Sequence, residues 1–171
     1  PILAVLHYIV PRAKRPSNKG MKQTKPAQAM ELRSLSPVFD GLGGGVAMRY
    51  DPASAPIPSA WFEADESERL DAILRYHKRA KEHGGNLRAH SAIHTAVENQ
   101  LAEGHDAAVR AMTRLEAEGL DRHDAVHAIG SVVAKQIHAM LQERREHDSA
   151  QYAAQLDALT AESWRNSGDD E

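Results

Sequence analysis

Histidine is the residue type with the most chemistry to offer in this sequence. The chain of 171 residues holds ten of them. Two pairs, His90/His94 and His123/His127, are spaced four apart. On a helix that spacing stacks two imidazoles on one face. It is also the spacing at which two ring nitrogens reach one ion in the helical zinc motif His-Glu-x-x-His. Glu98 stands one turn beyond His94, so His90, His94 and Glu98 follow one another on successive turns. His77 falls in an apolar stripe of its own, between Ile73, Leu74 and Ala80. Five imidazoles and a carboxylate are therefore expected to face one interior from three helices. Buried imidazoles need partners for both ring nitrogens, and a metal ion satisfies several of them at once. Imidazole with carboxylate suits a divalent transition metal: Zn, Fe, Mn, Ni or Cu.

The expected metal ligands are His90, His94, His123 and His127. His77 and Glu98 are further ligands or groups that orient the ligands. If the chain is an enzyme, the ion activates a water and Glu98 is the candidate base, which makes it a metal-dependent hydrolase or oxidase. The rival expectation is a non-enzymatic helical interaction module. Its histidines would form a structural polar network, and a homodimer would form through the exposed side of the third predicted helix. The two differ in whether the imidazoles of the two pairs converge on one point.

Other chemistries find no support. Cysteine is absent, which excludes a thiol nucleophile and any Cys-ligated zinc or iron–sulfur site. It also suits a reducing compartment, so a cytoplasmic location is expected. Ser91 follows His90, so no glutamate base sits inside that pair, and the ferritin-like Glu-x-x-His signature is missing. His123-Asp124 resembles the paired residues of HD-type metal phosphohydrolases, but Asp124 lies off the stripe and reads as a capping residue. The glycines of residues 41–45 lack the Gly-Lys-Ser/Thr ending, and no Gly-x-Ser-x-Gly elbow occurs. No nucleotide cofactor is expected.

The elements that must position these groups are helical. Asp65 with Glu68 reads as a capping box. Leu70, Ile73, Leu74, His77 and Ala80 follow at spacings of three and four, and Gly84-Gly85 is the expected stop. A second helix starts near Asn86, carries Leu87, His90, His94, Val97 and Leu101, and stops at Gly104. A third begins at Asp106 with Val109, Ala111, Met112 and Leu115, and stops at Gly119. A fourth, capped by Asp121, carries Val126, Ile129, Val133, Ile137, Met140 and Leu141 to about Glu146, with His123 and His127 in a stripe shared with Gly130, Ala134 and Leu141. A last amphipathic piece runs from Ser149 to Trp164. His138 borders the fourth stripe, and His83, His105 and His147 are expected at the surface. Asn99 should face water or a neighbouring loop, and Trp61-Phe62 should pin the preceding segment onto the helices. The expected fold is all-α: an antiparallel four-helix bundle with an additional C-terminal helix and a largely irregular N-terminal segment.

The domain organisation follows from composition. Residues 1–47 hold seven Lys/Arg against Glu31 and Asp40, so of the total charge of −3 the rest of the chain carries −8. They read as an irregular basic extension. Its opening apolar run has its basic residues behind it, unlike a signal peptide. Met48 reads as a plausible native start, which makes the extension dispensable. Residues 48–58 are a Pro-rich lead-in, 59–164 the helical domain and 165–171 a disordered acidic tail. No run of about 18 apolar residues exists, so no membrane span is expected. Nucleic acid is an expected partner only through the basic extension.

Four motifs carry a resemblance: Met48-Arg-Tyr-Asp-Pro52, Tyr76-His-Lys-Arg-Ala80, His90-Ser-Ala-Ile-His-Thr-Ala-Val-Glu-Asn-Gln100 and Glu118-Gly-Leu-Asp-Arg-His-Asp-Ala-Val-His-Ala-Ile-Gly130. Over roughly Met48 to Leu141 the chain resembles an uncharacterised bacterial family, related to small helical proteins catalogued as a domain of unknown function. The resemblance implies an all-helical fold and draws attention to the histidine positions, but it carries no reaction. The stretch from Ser17 to Asp40 resembles translated intergenic or integron-cassette repeats.

Overall fold

Side-chain caps decide where most of the helices begin. In the computed structural model, which describes residues 48–81, 86–144 and 146–167, seven helices and no strand are present among the described residues. They are α1 (Pro58–Glu63), α2 (Glu66–Ala80), α3 (Leu87–Glu103), α4 (Asp106–Ala117), α5 (Arg122–Glu143), α6 (Ser149–Ala158) and α7 (Ala161–Ser167). All described residues belong to one unit. The all-α fold is as expected.

Asp65 Oδ1 accepts the Glu68 N–H at 2.8 Å, and Glu68 returns the bond to the Asp65 N–H at 2.9 Å, so the capping box before α2 forms. Asn86 caps α3 through Arg88 and Ala89, Asp121 caps α5 through Asp124, and Asp148 caps α6 through Ala150 and Gln151. Each takes up donors that the first turn cannot satisfy internally. At the other end of α3, Gly104 adopts φ 73°, a conformation that glycine accepts without Cβ strain.

Several boundaries differ from expectation. The helix α2 ends at Ala80, with Lys81 at φ 58° as its left-handed cap; the expected stop at Gly84-Gly85 lies outside the described residues. The fourth expected helix closes at Glu143 under Arg144, short of Glu146. The single C-terminal piece is two helices, because Thr160 and Ser163 bond each other's backbone N–H at 3.0 Å and start a new helix after Leu159. Arg114 donates to the carbonyls of Leu156 and Leu159 at that corner, and Glu118 accepts the Ala161 N–H at 2.6 Å. The helix α7 runs to Ser167, into the stretch expected as tail. The extension 1–47 and residues 168–171 lie outside the described residues.

At the centre, α3 packs against α2 on one flank and α5 on the other, while α4 and α6 cover α5. The main core joins Val97, Leu115, Val126, Ile129, Val133, Tyr152 and Leu156, and a smaller one joins Tyr50, Trp61, Ala72 and Ile73. Two expected core residues are exposed instead: Val109 by 40% and Leu141 by 57%. Ala134 is exposed as well. Gly130 fixes how close α3 and α5 come. A Cβ built there would stand 2.9 Å from Ile93 Cγ2, so the absence of a side chain allows the approach.

The lead-in is tied down rather than loose. Trp61 is fully buried, and its indole N–H donates to Asn99 Oδ1 at 2.8 Å. Asn99, expected to face water or a loop, thus meets α1 and α2, with Arg69 as its second donor at 2.8 Å. Phe62 stays 42% exposed beneath the Arg69 guanidinium.

Candidate metal centre

Three helices deliver the five imidazoles. His77 comes from the last turn of α2, His90 and His94 from the first half of α3, and His123 and His127 from the first two turns of α5. The i, i+4 spacing keeps each pair on one face, and the glycine contact at Ile93 brings the two pairs together. His94 is the hub. Its ring centroid lies 4.6 Å from His77, 4.6 Å from His90, 4.7 Å from His127 and 5.3 Å from His123. His77 and His94 are fully buried, and the other three are half-buried.

The ligating atoms form two groups that could hold a metal ion: His77, His94 and His123, and His90, His94 and His127. Within each group they lie within 4.8 Å of one another. A tetrahedral ion with nitrogens at 2.0–2.1 Å needs them about 3.3 Å apart, a distance that modest ring rotations close. The four expected ligands are all present, but the grouping differs. His77 is a full member of one triad, and no single set holds His90, His94, His123 and His127.

Electrostatics fit a neutral donor at His94. Both ring nitrogens of His94 are buried without a hydrogen-bond partner, as is Nε2 of His123. Burial first, and then the neighbouring imidazoles of His127, His90, His77 and His123, push the His94 pKa far below the ordinary histidine value. His94 is thus a neutral imidazole with lone-pair capacity unused, the state in which histidine binds metals.

Glu98 does not join them. Its side chain is fully buried and committed elsewhere: Arg122 Nη1 donates to Oε1 at 2.8 Å, Arg122 Nη2 to Oε2 at 2.6 Å, and the Tyr50 hydroxyl to Oε1 at 2.7 Å. The second donor on Nη1 reaches the Pro52 carbonyl at 2.9 Å. The expectation of Glu98 as ligand or base is corrected on this ground: both oxygens are already held by a bidentate guanidinium and a phenol. Burial opposes the charge on Arg122, but Glu98 and Tyr50 outweigh it and its pKa rises. Burial, and then Glu98, hold the Tyr50 phenol well above its ordinary pKa. Sequence reasoning missed Arg122 as the partner. One signal was available, because Arg at the first position of a helix opposes the macrodipole and calls for another reason to be there.

The remaining described histidines stand outside the two triads. His138 is exposed. His105 and His147, expected at the surface, are half-buried on either side of Tyr152, with ring centroids 6.1 and 5.9 Å away. Tyr152 donates to Gln100 Oε1 at 2.7 Å. His83 lies outside the described residues.

A cleft of about 520 Å³ borders the centre, lined by Arg49, Tyr50, Asp51, Tyr76, Arg79 and Ala80. Tyr76 separates the two, its ring edge-on to His77 at 5.3 Å and to His123 at 5.9 Å. These lining residues belong to two of the sequence motifs, yet the sequence gives them no common site, because no periodicity connects a lead-in segment to the end of α2. Family models give no match to the chain, and searches of curated proteins and of solved structures give no significant match. No described helix is long and apolar enough to cross a membrane.

Proposed function

We propose that the protein binds a divalent transition metal in the histidine cluster and uses it to activate a water. The observation that supports this reading is His94: both ring nitrogens are buried without partners, while four further imidazoles crowd around it. A structural polar network would satisfy those nitrogens with carbonyls or carboxylates. The only carboxylate close by on the helix, Glu98, is taken up by Arg122. A centre with three protein ligands leaves a coordination position for water, whose pKa a bound zinc lowers to about 7. With Glu98 occupied by Arg122, the metal itself generates the nucleophile. The cleft beside Tyr76 gives a substrate its approach, and its lining, Arg49 and Arg79 against Asp51, favours an anionic one. A cysteine-free chain suits the bacterial cytoplasm as the setting.

The test is metal analysis of protein purified without a His tag, beside a His94→Ala, His127→Ala double variant. The expected outcome is metal retained through dialysis in the wild-type protein and lost from the variant. Equal metal content in the two, or none in either after reconstitution, would overturn the metal-binding reading.

A further inference from the structure

We propose that the cluster is built for two metal ions, bridged by His94 as an imidazolate. One ion takes His77 and His123, the other takes His90 and His127, and His94 gives one ring nitrogen to each. This rests on the metal-binding reading above and adds the number of ions and the role of the central residue.

The argument starts from membership. His94 is the one residue common to both triads, and its ring touches all four other imidazoles. The second step concerns its other nitrogen. A histidine that binds one metal almost always donates its remaining N–H to a carboxylate, a carbonyl or a water, which fixes the tautomer. His94 has no such partner among the described residues: Nδ1 and Nε2 are both buried and unbonded, in a residue that is 1% exposed. A single ion would satisfy one nitrogen and leave the other N–H unpaired in the interior. A second ion satisfies it.

Charge sets the state of the bridging ring. Two divalent ions among neutral imidazoles would be an uncompensated buried charge. The buried carboxylate one turn along α3 cannot offset it, because Glu98 is neutralised by Arg122 and bonded to Tyr50. Loss of the second ring proton makes His94 itself the anionic donor. The balance is simple: as the second ion binds, the His94 N–H proton leaves to solvent and the freed lone pair forms the new metal–nitrogen bond. No oxidant or co-reactant is required. Each ion then has three nitrogen ligands and a position left for water, so the two sites are equivalent in donor number and distinct in depth. The His77/His94/His123 site has two fully buried members, and the His90/His94/His127 site has one.

Copper(II) is the probe, because two copper ions joined by an imidazolate couple magnetically and lose the spectrum of an isolated ion. Untagged full-length protein, stripped by a chelator, is titrated with Cu(II) and with Zn(II). Bound metal is counted after desalting, and the Cu(II) form is read by electron paramagnetic resonance. The expected result is two ions per chain, with one proton released in excess of a single-site protein. The spectrum at two equivalents of copper should be strongly reduced in integrated intensity. His77→Ala and His90→Ala each hold one ion with the full intensity of an isolated Cu(II), and His138→Ala, at an exposed position, still holds two. The wild-type spectrum needs no variant, so a variant that misfolds does not block the answer. One ion per chain in the wild-type protein overturns the bridge and leaves the metal-binding reading standing. Two ions with full, uncoupled intensity also overturn it. No bound ion removes both.

Discussion

Replacing Arg122 by Met is the most informative single perturbation of this fold. Arg122 is 10% exposed at its side chain and Glu98 is not exposed at all. The truncation removes both guanidinium bonds to Glu98 and the bond to the Pro52 carbonyl, and leaves the carboxylate only the Tyr50 hydroxyl. Breaking one side of a buried ion pair typically costs about 3–5 kcal/mol, because the surviving charge stays in the interior. Against a domain stability of about 5–15 kcal/mol that is a large share. It corresponds to a fall in melting temperature on the order of 10–20 °C. Urea unfolding followed by circular dichroism measures it, with the slope checked for two-state behaviour. The double variant Arg122→Met, Glu98→Gln should recover at least half of the loss, since the charge is gone and the amide oxygen still accepts from Tyr50. A single-variant cost below about 1 kcal/mol would refute the reasoning, as would a double variant no more stable than the single one. Either result would mean that Glu98 is hydrated or paired with something else.

Two further outcomes follow from the same geometry. The metal-free protein should lose stability on acidification. The His94 pKa is lowered in the fold, so its contribution is complete above the unfolded value of about 6.5 and is lost as pH falls below it toward the folded value. The groups that face it are His77 from α2, His90 from α3 and His123 and His127 from α5, and each of them lowers its pKa. Melting temperatures between pH 7.5 and 5 check this, and His94→Leu should flatten the profile; a wild-type profile that is level or rises toward pH 5 would sink the argument. Gly130→Ala should raise helix propensity by about 1 kcal/mol yet lose about 1–3 kcal/mol by overpacking against Ile93. It should also weaken metal retention by spreading α3 from α5, and Ile93→Ala in the same chain should restore it. A stabilised Gly130→Ala protein with undiminished metal would show that the helices have room to spare.

Local rules made part of this molecule legible in advance. Asp65, Asn86, Asp121 and Gly104 act at the helix ends where their types and positions place them, since a cap needs only its own few neighbours. The histidine stripes were legible for the same reason: four-residue spacing fixes the face of a helix whatever surrounds it. What escaped was pairing at long range. Periodicity shows that Glu98 points inward but not that Arg122 and Tyr50 meet it, because their approach depends on how α3, α5 and the lead-in pack. Val109 and Leu141 read as core by spacing, yet both are exposed, because spacing does not show which faces a neighbouring helix will cover. The break at Leu159 was hidden because Arg114 and Glu118, far away in sequence, hold that corner.

The Tyr50 contact separates two properties that are often treated as one. Among the described residues, the lead-in has little backbone hydrogen bonding of its own: a turn at Asp51 and Ser54 precedes α1. Its amide protons therefore have little to shield them, and hydrogen exchange should report them as open within the first seconds of labelling. Yet Tyr50 and the Pro52 carbonyl are partners of a buried ion pair, so lifting this segment away strips a donor from Glu98 and an acceptor from Arg122. A protease, which must pull about ten residues into its own groove before it cuts, would find the segment held. The lead-in is thus anchored by the Tyr50 hydroxyl and by arginines that reach its carbonyls, fast by one clock and closed by the other. Its detachment should therefore accompany the separation of α3 from α5 rather than precede it.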